Sequence, residues 1–123
     1  VNEVVGADVY GSPFAVALAQ ADRVLLVVDE AVEPLGRSWC CFELFLSVVQ
    51  QKRLDIRTHN TNLQLYQAVQ SRVAEMDIRS CSASSEQDHQ RIMRAVRGKE
   101  DVVNVRVRQQ VEETVHFLSS YVP

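Results

Sequence analysis

"RVLLVVDE", residues 23–30, decides the fold: five apolar residues in succession, Val24 to Val28, closed by two acids. Valine and leucine without alternation are the pattern of a strand buried on both faces, as in a parallel sheet covered by helices. The strand is therefore expected at the sheet centre. Pro34 and Gly36 mark "EAVEPLGR" as a loop at its carboxyl end, the edge of an open α/β sheet where ligands bind. Upstream, Ser12 is placed to cap a short helix that has Pro13 at its first position and good helix formers to Ala21. Residues 1–11 contain two glycines and no sustained period, and read as a lead-in with a short extended piece at Val4 and Val5.

Downstream, a helix is expected from about Ser38 to Gln51, then a second, shorter strand in "LDIRT" with Leu54 and Ile56 on one face. From Asn60, the positions Leu63, Tyr66, Val69, Val73 and Met76 follow helical spacing to about Glu75. "MDIRSCSAS" reads as a third strand ending near Cys81. Ser84 or Ser85, with Gln87 or Asp88 three residues on, resembles a capping box, and Gly98 fits the residue just past the helix it opens. "VNVRVR" alternates with period two. Yet Val103, Val107, Val111, Val115 and Leu118 form a helical ridge, and the Gln/Glu-rich continuation favours a long C-terminal helix.

The alternation predicts one α/β domain over residues 1–123: a helix/strand core over 12–82 and C-terminal helices over 84–121. Its arrangement is three-layer and flavodoxin-like, a short parallel sheet with helices on both faces. A chain of 123 residues, 46% hydrophobic, fits one core. Thirteen Lys and Arg against 16 Asp and Glu give a net charge of -3, which offers no pull toward nucleic acid or anionic lipid. No apolar run exceeds six residues where a bilayer needs about 20, so no membrane insertion is expected. Three cysteines, Cys40, Cys41 and Cys81, make no disulfide framework. That predicts an intracellular, reducing compartment: the cytosol, or an organelle matrix if a targeting segment was removed before Val1. The four glycines stand singly, so no phosphate-cradling loop is expected.

The stretch "RSWCCFELFLSVV", residues 37–49, sets Glu43 inside an otherwise apolar helix. Ser38 to Leu44 ("SWCCFEL"), preceded by "RVLLVV", resembles the strand, loop and helix start of a Toll/interleukin receptor (TIR) domain. It is similar as well to TIR-like domains of protist and algal proteins, with Leu35, Arg37, Trp39, Cys40 and Glu43 at matching positions, and with a later stretch like Ala83 to Ile92. The resemblance implies a TIR-like fold lacking its N-terminal part. In TIR domains that hydrolyse NAD the glutamate of this motif is catalytic, which implies Glu43 as the catalytic residue and NAD as the substrate. Burial among apolar side chains would raise its pKa, as acid, base or nucleophile at a glycosidic bond requires. The opposing reading is a semi-polar stripe of Gly36, Cys40, Glu43, Ser47 and Gln50 facing solvent.

Only eleven residues precede Ser12, too few for the strands that complete a nucleotide pocket, and a lone carboxylate without such a pocket contributes little catalysis. Cys40 and Cys41 in the first turn of a helix suggest a redox thiol with His59 or His89 as base; buried small hydrophobes are the commoner use. A metal site from Cys40, Cys41, Cys81 and His59 lacks local ligand spacing. Trp39 is read as a core anchor or stacking residue, and Arg37 as a solvated loop residue or a contact for an acidic partner. The leading expectation is a non-catalytic adaptor or scaffold module, an accessory subunit without a cofactor, that docks to other protein chains through an uncovered sheet edge or helix face. The interaction residues are Arg37, Ser38, Trp39, Cys40 and Glu43. An NAD hydrolase using Glu43 is the alternative, and a thiol redox protein using Cys40 or Cys41 a distant third.

Overall fold

The computed structural model describes residues 13–29, 31–57 and 63–121. The lead-in segment with Val4 and Val5, the cap Ser12, and His59 lie outside them. Helix α1 (Pro13–Gln20) is followed by strand β1 (Arg23–Val27), a 3-10 turn at Glu33–Gly36, helix α2 (Ser38–Val49) and strand β2 (Arg53–Arg57). Helix α3 (Leu63–Ala74), a second 3-10 turn at Ile78–Ser80, helix α4 (Glu86–Ala95) and helix α5 (Glu100–Ser119) complete the order.

The class is α/β, with a parallel sheet of two strands among the described residues. The register pairs Val24 with Leu54 and Leu26 with Ile56. Side chains alternate across a strand, so these four share one face, and Leu26, Leu54 and Ile56 enter the core. The other face carries Arg23, Leu25, Val27, Arg53, Asp55 and Arg57. Here the expectation of a central strand buried on both faces is corrected: Leu25 and Val27 are 55% and 62% exposed. The continuous apolar run reports composition, and only tertiary cover decides which face is dry.

The expected third strand is corrected as well. "MDIRSCSAS" turns through 3-10 geometry at Ile78–Ser80, because two side chains take the N–H groups a strand would offer a neighbour. Asp77 accepts from the Arg79 N–H at 3.0 Å, and Asn104 Oδ1 accepts from the Ile78 N–H at 2.8 Å. What survives of pairing is a single parallel bridge between Arg37 and Ser82.

The helices follow the sequence closely. Ser85 caps α4, its hydroxyl accepting from the Asp88 N–H at 3.1 Å, and Gly98 takes the left-handed φ of 78° that ends the segment. In α5 the ridge Val103, Val107, Val111 and Val115 is buried, packing on α2 and α3. No described helix is long and apolar enough to cross a membrane.

Candidate functional site

Two features lie where β1 ends and α2 begins. The first is a clasp made by the motif itself. The Ser38 N–H donates to the Ser82 carbonyl at 2.8 Å, the Ser82 N–H donates to the Gly36 carbonyl at 2.8 Å, and the buried Ser38 hydroxyl donates to the Cys81 carbonyl at 3.0 Å. One turn on, the Cys41 thiol lies 3.4 Å from the Leu35 carbonyl and 3.7 Å from the Cys81 thiol. The Trp39 ring stands edge-on to Phe42, centroids 6.2 Å apart. Thus Ser38 and Cys41 fasten the start of α2 to the 3-10 turns on either side, while Trp39 packs on α2 itself.

The second feature is a cavity of about 570 Å³ at the carboxyl end of β1, lined by Val27, Val28, Asp29, Glu33, Pro34, Arg37 and Cys40. Its loop is a tight turn. The Val32 N–H donates to the Asp29 carbonyl and the Glu33 N–H to Asp29 Oδ1, with Val32 buried at a left-handed φ of 51°. A β-branched residue is strained there by about 1–2 kcal/mol, offset by burying its side chain.

Arg37 and Cys40 therefore meet in this cavity, whereas Glu43 is not among its lining residues. Glu43 sits half-buried on α2, and among the described residues no hydrogen bond or ion pair to its carboxylate is found. Burial raises its pKa above the ordinary carboxylate value. Ser47, one turn on, does not reach back to it; its hydroxyl donates to the Leu44 carbonyl at 2.6 Å. Cys40 is pushed up to about 11, chiefly by burial, then by the negative charge of Glu43, with Arg37 pulling the other way. Such a thiol is protonated at neutral pH and a poor nucleophile. Cys41 is held protonated still more firmly by its hydrogen bond to Cys81 and by burial. His89 lies on the rim of a different cavity, with Arg79 to Glu86.

No group of three or more His, Cys, Asp or Glu side chains that could hold a metal ion occurs among the described residues. Sequence reasoning missed Asn104. Its signal was a polar residue inside the Val103, Val107, Val111 face of a helix; it is buried and bonds both Ile78 and Asp77.

No protein-family model matches this chain, no curated protein matches it, and no solved structure matches it.

Proposed function

We propose that this chain is a non-catalytic protein-protein interaction module, TIR-like in its Ser38–Leu44 motif, that serves as an adaptor or scaffold piece of a larger assembly. The observation that carries this reading is the outer side of β1. Leu25 and Val27 are more than half exposed on a strand that has β2 on one edge and no described strand on the other. An uncapped edge beside apolar side chains is a template for another chain, which supplies main-chain hydrogen bonds along the edge and apolar contacts on the face. The motif residues serve this function indirectly by anchoring α2 and the loop after β1.

The second reading is NAD hydrolysis by Glu43, favoured by one observation: a half-buried carboxyl with a raised pKa. Against it stands the position of Glu43 outside the cavity at the end of β1. NAD consumption by the purified chain beside Glu43→Ala separates the two. The interaction reading predicts no turnover in either, and proximity labelling in cells whose captured proteins are lost with Val27→Lys. Turnover abolished by Glu43→Ala would overturn it.

A further inference from the structure

The edge of β1 away from β2, on which no described strand lies, has a register in which it is its own complement. The Val28 N–H donates to the Arg57 carbonyl of β2 at 3.0 Å. Strand alternation then directs the backbone groups of Leu26 and Val24 toward β2 as well, and those of Leu25 and Val27 outward. The stretch reads Arg23, Val24, Leu25, Leu26, Val27, Val28, Asp29. Turned antiparallel on itself about Leu26, it sets Leu25 opposite Val27 and Arg23 opposite Asp29.

We propose that this protein self-associates through β1, pairing antiparallel with β1 of a second copy so that two two-stranded sheets become one of four strands. This rests on the reading of the chain as a docking module and names the partner. Three observations agree on the register. The residues placed opposite each other, Leu25 and Val27, are those whose N–H and C=O groups point outward, so each pair exchanges two hydrogen bonds. Both are exposed on the same face, so their side chains meet across the new seam. Arg23 opens the strand and is exposed, and Asp29, also exposed, lies two residues past its end, where its carboxylate accepts from the Glu33 N–H. Antiparallel pairing therefore brings unlike charges together twice, while a shift by two residues in either direction breaks both ion pairs. The arrangement is isologous, so it closes at two copies instead of propagating.

Sedimentation of the full chain tests this, from about 5 µM to about 500 µM, a range that brackets a modest dimer. The expected result is a rise from 13.9 kDa toward twice that mass. Arg23→Asp should weaken association roughly 10-fold by opposing two like-charged pairs, and Arg23→Asp/Asp29→Arg should restore it to within a few-fold. Asp29→Asn, which keeps the acceptor for the Glu33 N–H, should weaken it less than reversal does. Circular dichroism of each variant separates lost pairing from lost folding. A chain that stays at 13.9 kDa throughout, or a dimer that Arg23→Asp leaves unweakened, overturns self-pairing. The docking reading is tested apart from this by the NAD turnover and Val27→Lys capture experiments, and it falls if Glu43→Ala abolishes turnover or if Val27→Lys changes nothing.

Discussion

The thiols of Cys41 and Cys81 lie 3.7 Å apart, buried, where the first turn of α2 meets the chain leaving the second 3-10 turn. Beside them Cys40 is half-buried at the rim of the β1 cavity. Adjacent in sequence, Cys40 and Cys41 thus occupy different environments, and neither is that of an activated thiol.

Alkylation should show this. At pH 8 the native chain should react through Cys40 roughly 100-fold more slowly than an ordinary thiol, because a pKa pushed up to about 11 leaves little thiolate. Cys41 should be modified only after denaturant is added. Peptide mapping of iodoacetamide adducts reads both, and rapid native labelling of either residue would revive the redox reading.

Glu43 should weaken the fold at neutral pH instead of supporting it. A carboxyl whose pKa is raised by burial carries no penalty below its unfolded value, about 4.3. The penalty grows as pH rises through the folded value and is complete above it. Glu43→Gln should therefore melt about 2 °C higher than the parent at pH 7, with the difference vanishing near pH 4. A lower melting temperature at pH 7 would mean that the carboxylate is held by a charged partner.

Asn104 replaces the missing strand partner of the segment around Ile78. Asn104→Leu leaves the buried Ile78 N–H without an acceptor and should cost about 1–3 kcal/mol in urea unfolding. It also changes the acid limb. Asp77 is held below its ordinary pKa first by the Asn104 amide, then by the Arg79 N–H. The stability this supplies is present above about pH 4 and is lost as pH falls through the depressed value. The variant should lose less stability between pH 5 and pH 3 than the parent; an unchanged acid limb would remove Asn104 from that role.

Gly98 isolates a purely conformational effect. Its φ is 78° and a methyl group there would meet nothing within 4 Å. Gly98→Ala should cost about 1 kcal/mol through backbone strain alone, and thermal unfolding that shows no loss would mean that the segment relaxes.

How far the sequence carried this account differs by element. The helices were legible because capping and ridge positions are local: Ser85 with Asp88, Gly98, and Val103 to Val115 all behave as their spacing indicates. The sheet was not, since Val24 to Val28 would look the same whether or not another strand covered Leu25 and Val27. "MDIRS" failed as a strand because its N–H groups are claimed by Asp77 and by Asn104, which lies 26 residues beyond Ile78, a competition invisible to periodicity. At the candidate site, Arg37 and Cys40 share a cavity. The direction Glu43 takes from α2 depends on how that helix is clasped through Ser38 and Cys41, which is tertiary information.

The measurement that tests the open edge most directly is amide hydrogen exchange along β1 in the dilute intact chain. Leu26 and Val28, whose backbone groups face β2, should exchange slowly, while the outward amides of Leu25 and Val27 exchange fast. Equal protection of all four would show the edge already covered within a single copy, and would contradict the account.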